Sequence, residues 1–311
     1  MRFDIAGLEE SYGRHRYSNN AILNELSRHA DPDPDLSFVW WVEKMFLDPK
    51  YAAIVRRMCS GPWFGVMHVP LLTPNWAMYS QNNLARLYFL DSWRAALKNC
   101  RGIITLSRHM QQQLQALYPD LPVFSLKHPM EASSVSFDAE AFRRDPKLLL
   151  VGTWLRDFDR FCALRTNLRK KLILNHYTAH FLTHQYAKYR PMMLDSVKQI
   201  EHVDFLENEE YDRWVGSSLL YLGLHETSAN NAVCECISYA VPFVSRPHPA
   251  VIEYCGADYP LLVEDDREIE VTTDQVMAAH DYLRRNTHLR EALSMENFIA
   301  GMRGIYDSIA A

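Results

Sequence analysis

Glycine is scarce, at 11 residues in a chain of 311. None of these glycines forms G-x-G-x-x-G after an apolar run, which disfavours a dinucleotide-dependent dehydrogenase. G-x-S-x-G is also missing, which disfavours a serine hydrolase built on a nucleophile elbow. The six cysteines include no C-x2-C pair, and Cys234 and Cys236 are too close along a helix to bridge. Reduced, buried thiols and a cytoplasmic location are the expectation. The longest apolar runs, Lys147 to Leu155 and Leu219 to Leu224, fall far short of the ~20 residues that span a bilayer. The opening MRFDIAGLEE has no basic segment leading into an apolar one, so neither an export signal nor a transmembrane segment is expected. Positive charge is not in excess either: the formal net charge is −5, and no global field draws the chain onto nucleic acid or anionic lipid. Among 13 histidines there is no H-E-x-x-H; His176, His180 and His184 recur at helical spacing and read as a polar helix face.

What remains is ordinary globular composition, 48% hydrophobic and 23% charged, at a length that suggests two domains. Strand and helix patterns alternate along the chain. MRFDIAG reads as a strand and AILNELSRH as a helix with Ser18 as its N-cap. FVWWV and WFGVMHVPLL follow as strands, LARLYFLDSWRAALKN as one amphipathic helix, and GIITLS as a buried strand. Ser107 caps the helix RHMQQQLQALY, and PVFSLKHP is another short strand. Residues 131–146 lack a sustained period and read as a linker. The alternation then restarts with strands at KLLLVGTWL, KKLILNH, HVDFL, SLLYLGL, PFVSR and YPLLVED. Helices are expected at 191–200, from Asn208, at NAVCECISYA behind Ser228 or Asn230, at AVIEYCG, and throughout 273–311. This order fits two doubly wound α/β halves with mostly parallel sheets.

In such sheets ligands bind beyond the carboxyl ends of the strands, where strand order reverses. That rule selects the loop 13–20, His68, Gly152 to Arg156, Asn175-His176 and His225 to Asn231. In HETSANNAVCECI a polar loop meets a helix N-terminus, which suits an anionic ligand. Glu235, one turn inside that helix on the side of Asn231, can accept hydrogen bonds from a ribose diol; an ordinary capped helix with a solvent-facing Glu is the plainer alternative. The acidic groups Asp31/Asp33/Asp35, Asp157/Asp159 and Glu264 to Asp266 have no apolar strand feeding directly into them, so no catalytic metal is expected.

The segment SANNAVCECISYAVPFVSRPHPAVIEYCGADYP, within Lys147 to Glu264, resembles the nucleotide-sugar-binding half of GT-B glycosyltransferases of the retaining group-1 type. The resemblance implies two Rossmann-like α/β domains facing a cleft: residues 1–145 on the acceptor side, 146–290 binding the nucleotide sugar, and 291–311 as a helix packing back on the first. It implies a glycosyltransferase, retaining and metal-independent, with no cofactor beyond its donor substrate; a UDP-hexose is the commonest donor of that group. Glu235 corresponds to the second acid of the family's E-x7-E motif, the ribose ligand. Thr227 stands where the first acid is expected, and either Glu226 or the pair Ser228 and Asn230 takes its place. GTWLR resembles the loop leading to a phosphate-binding Arg, which makes Arg156 the candidate, with Arg160 or Lys170 as helpers. His68 resembles the acceptor-side histidine. The catalytic set is therefore His68, Glu226 and Arg156; the donor set is Thr153, Arg156, Ser228, Asn230, Asn231 and Glu235; Arg14, Arg16 and His68 belong to the acceptor. A glycan, a protein or a hydroxyl-bearing modified DNA base remain open as acceptors, the last through a basic rim of Arg14, Arg16, Arg56 and Arg57. A catalytically weakened GT-B-like module that binds nucleotide or glycan without turnover is the alternative.

Overall fold

The computed structural model describes residues 1–6, 19–74, 83–130, 135–173, 180, 182, 196–197, 199–203 and 206–310. Two compact units result, Met1–Glu131 together with Glu291–Ala311, and Ala132–Arg290.

Unit 1 is a five-stranded parallel sheet of β1 (Asp4–Ala6), β2 (Ser37–Val39), β3 (Trp63–Met67), β4 (Cys100–Thr105) and β5 (Val123–Ser125), lying side by side in sequence order. Every residue of β2 and β3 is buried, as expected when helices cover both faces of a parallel sheet. Phe3, Phe38 and Phe64 pack mutually at 5.0–5.4 Å between ring centroids. The helix Asn19–His29 buries Ile22, Leu23 and Leu26, the positions its periodicity marks. Ser107 caps Arg108–Leu117 by accepting the Met110 N–H at 3.3 Å.

Two expected elements differ. FVWWV is strand only to Val39, and Val42 already begins the helix Val42–Leu47. The residues of this apolar run are nearly all buried, so its hydrophobicity cannot separate strand from helix. The stretch expected as one helix over 84–99 breaks at Leu90, whose extended backbone separates a 3-10 turn, Leu84–Phe89, from the helix Asp91–Leu97. The helix Met295–Ala310 supplies Phe298, Met302 and Ile305 to the core of this unit, with Phe298 edge-on to Trp40 at 5.8 Å.

Unit 2 carries β6 (Lys147–Leu150), β8 (Arg169–Ile173), β9 (Glu201–Val203), β10 (Leu219–Leu222) and β11 (Phe243–Ser245), all parallel, in the order β11-β10-β6-β8-β9. The chain thus builds outward from β6 in one direction and then in the other. Strand order reverses at β6 and β10, the geometry of a doubly wound sheet. A small parallel pair, β7 (Arg165–Thr166) with β12 (Glu268–Ile269), stands apart and had no counterpart in the sequence pattern. Residues 131–146, read as a linker, instead contain the helix Ala139–Arg144, with Phe137 and Phe142 buried in this unit. YPLLVED forms a single bridge, Ser245 to Leu262, rather than a strand. The tail is helical in three pieces, Thr273–Arg285, Thr287–Glu291 and Met295–Ala310.

Candidate functional site

The loop after β6 is shaped by two left-handed residues, Gly152 at φ 79° and Leu155 at φ 57°. Glycine adopts such a conformation without strain; leucine does not, and its occurrence at a strand end marks a loop whose shape is held from outside. The bonds that hold it come from the loop after β10. His225 N–H donates to Leu155 O at 3.0 Å, Asp157 N–H donates to Gly223 O at 2.8 Å, and Arg156 bridges to Leu224.

This curl turns Arg156 inward, where it is 4% exposed. Its Nε donates to Val151 O at 2.9 Å and its Nη2 to Asn230 Oδ1 at 3.0 Å, while Nη1 is buried without a hydrogen-bond partner. A Cβ at residue 152 would lie 3.0 Å from Nη2 and press on the guanidinium, while the positive φ is what calls for glycine there. Both acceptors of Arg156 are neutral, and it forms no ion pair among the described residues. Burial lowers its pKa to about 10, opposed by Tyr211, Glu235 and Cys236, and it remains a cation at neutral pH. A buried cation without a matched anion costs several kcal/mol of lost hydration.

Asn230 is shared between two tasks: its Oδ1 also accepts Ala232 N–H at 3.0 Å, capping the helix Asn231–Tyr239. The N-cap is therefore Asn230 of the two residues considered. Glu235 lies inside this helix at 5% exposure and accepts the Tyr211 hydroxyl at 3.0 Å, which removes the solvent-facing alternative. Thr153, Thr227 and Ser228 are buried beside these loops, whereas Asn231 is exposed. Glu226 Oε1 accepts Thr227 N–H at 2.9 Å and meets His248 Nε2 at 2.6 Å. His248 Nδ1 accepts Ala250 N–H at 3.2 Å, so the neutral ring carries its proton on Nε2 and donates it to Glu226.

The helper residues have other work. Lys170 Nζ donates to the carbonyls of Phe161, Cys162 and Leu164 at the end of the helix Phe158–Ala163. Arg160 and Arg246 flank the buried Asp266 at 3.4 and 3.7 Å, and Asp266 also accepts the Tyr221 hydroxyl at 2.7 Å. Asp157 caps the helix Phe158–Ala163, and Asp265 pairs with Arg267.

In unit 1, His68 follows β3 and is half-buried, with its ring 4.8 Å from Trp40 and 5.2 Å from Trp41. His128 Nδ1–H donates to Pro129 O at 2.8 Å. Arg57 pairs with Asp4 at 2.5 Å and donates to Pro34 O. Arg14, Arg16, Asn175 and His176 lie outside the described residues. Sequence reasoning missed Tyr211, His248 and, in unit 1, Glu43, a carboxylate with no exposed surface. Its position inside the apolar run FVWWVEKMFL was the available signal.

No family model and no curated protein matches the sequence. Solved structures do match. HepE from Anabaena, in complex with UDP, superposes with a TM-score of 0.56 at 10% identity, over 94% of this chain and 90% of that one. The α,α-trehalose 6-phosphate synthase from Burkholderia multivorans gives 0.59 at 13% identity, over 89% and 71%. The pneumococcal O-GlcNAc transferase GtfA, in complex with UDP and GlcNAc, gives 0.52 at 8% identity, over 94% and 60%. These structures are GT-B glycosyltransferases, and this chain has their fold. At such identities the likeness is one of fold, so chemistry must be argued from the residues.

Proposed function

We propose that the chain is a glycosyltransferase whose unit 2 holds a nucleotide sugar, a UDP-sugar, at the carboxyl ends of β6 and β10. The observation that carries this reading is Arg156, a buried cation without an ion pair, bonded to the cap of the helix Asn231–Tyr239 at the point where strand order reverses. A diphosphate at that helix N-terminus meets unpaired backbone N–H groups and the field of Arg156, and supplies the missing counter-charge. At its present burial Arg156 acts by field, and direct contact requires the 152–156 loop to shift. Glu235 takes the ribose diol, with Tyr211 orienting its carboxylate. Thr153, Ser228 and Asn231 complete the donor set.

The reaction is retaining and metal-independent on this reading. The bond between the anomeric carbon and the diphosphate oxygen breaks with both electrons leaving on the oxygen. The acceptor hydroxyl attacks the same face, and its proton passes to the departing phosphate. Arg156 and the helix N-terminus stabilise the growing negative charge, a type of preorganisation worth a few kcal/mol per strong donor. Glu226, held by His248, contacts the donor sugar, and His68 orients the acceptor hydroxyl.

Thermal shift with UDP, GDP, ADP and CMP, each with magnesium or with EDTA, tests the donor. A ligand at 100 times its Kd stabilises by about 2.7 kcal/mol. The expected result is a UDP shift that is indifferent to EDTA and lost in Arg156→Met; an equal shift in that variant overturns the site. Thr227, where the family's first acid is expected, favours a second reading, binding without turnover. UDP-sugar binding without transfer or hydrolysis across glycan, protein and modified-DNA acceptors would establish it.

A further inference from the structure

Glu43 sits on the first turn of the helix Val42–Leu47 and has no exposed surface. Its Oε1 accepts two consecutive main-chain donors, His68 N–H at 2.7 Å and Val69 N–H at 2.5 Å. Pairing of β3 with β4 ends at Met67, so these are the first two N–H groups beyond the ladder, at the turn that carries His68. Placing a carboxyl group in a fully buried position is expensive, and the acid is pushed up to about 7 by burial, against the pull of the His68 and Val69 N–H groups and of Trp41. Two bonds to a charged acceptor offset part of that cost. The His68 ring is in contact with Trp40 and Trp41, so its plane follows from those neighbours and from the main chain that carries it.

We propose that Glu43 is the positioning residue of the His68 turn, clamping the backbone of His68 and Val69 so that the imidazole is presented in one orientation. Its catalytic consequence rests on the sugar-transfer reading above; the clamp itself does not. The clamp acts at the main chain, so it requires an acceptor atom at the Oε1 position rather than a negative charge. Glutamine retains such an atom and alanine does not.

Amide hydrogen exchange on the full chain, read at His68 and Val69, tests the clamp. Glu43→Ala should lower protection at both amides by about tenfold or more, the scale of one lost hydrogen bond, and leave Phe64 to Met67 unchanged. Glu43→Gln should restore protection to within about threefold of the parent. In the transfer assay Glu43→Ala should lower kcat with the donor KM unchanged, and Glu43→Gln should recover most of it. Unchanged protection at 68 and 69 in Glu43→Ala overturns the proposal, as does an equal loss of kcat in both variants when protection is restored in one. Should the alanine variant not fold, Glu43→Asp replaces it, because its shorter stem cannot reach both amides and one of the two must lose protection. A parent chain without transfer activity would count against the sugar-transfer reading alone, since the exchange measurement still decides the clamp.

Discussion

Glu43 also makes a prediction about stability. A carboxyl whose folded value is near 7 binds its proton more tightly in the folded chain than in the unfolded one, where it titrates near 4.3. The folded state is therefore favoured at low pH, and the advantage is lost as pH rises towards 7. Relative to Glu43→Gln, the parent should lose on the order of 3 kcal/mol of unfolding free energy between about pH 4.5 and pH 8. Urea denaturation of both proteins across that range checks the sign and the size; a flat difference would mean that the acid is ionised and well solvated. Asn230 predicts opposite signs for folding and ligand binding. Asn230→Asp keeps the cap to Ala232 and sets a carboxylate against Arg156, so the ligand-free chain should melt higher. The same carboxylate repels a diphosphate, and the UDP-induced shift should shrink or vanish. Both are read in one melting experiment.

At the level of elements, two glycines with different surroundings should respond differently to the same change. Gly304 lies exposed within Met295–Ala310 with nothing within 4 Å of its would-be Cβ, so Gly304→Ala should stabilise by about 0.5–1 kcal/mol. Gly65 in β3 has Val39 O and Val42 Cγ2 at 2.5 and 2.6 Å from that position, and Gly65→Ala should destabilise by about 1–3 kcal/mol. Denaturant midpoints of the two variants decide between them. The same elements show what a local pattern can and cannot carry. Ser107 was legible as a cap, and the cap of Asn231–Tyr239 was narrowed to Ser228 or Asn230, because a cap is a property of a few adjacent residues. The end of β2 at Val39 was not, because Phe38 through Val42 are apolar whichever backbone they adopt. The break at Leu90 was equally hidden, since a 3-10 turn and an α-helix place apolar residues at almost the same spacing.

Across the whole molecule, alternation of strand and helix was readable, but the order of strands within each sheet was not, because pairing is decided by packing between distant segments. The first sheet runs in sequence order and the second reverses at β6. That difference singles out the loops after β6 and β10, and with them Arg156, Asn230 and Glu235, all of which the sequence pattern had marked. Residues whose meaning depends on a partner far along the chain escaped it: Glu43, bonded to Val69, Tyr211, bonded to Glu235, and His248, bonded to Glu226. Among the described residues no helix is long and apolar enough to cross a membrane.

Unit 1 is assembled from Met1–Glu131 and Glu291–Ala311, and unit 2 occupies the interval between. A ribosome reading this message therefore releases all of unit 2 before it releases the helix that covers Trp40 and Leu126 in unit 1. The half begun first is finished last. Until that helix docks, the apolar residues it covers lack their partner, and exposed apolar surface of this kind favours aggregation.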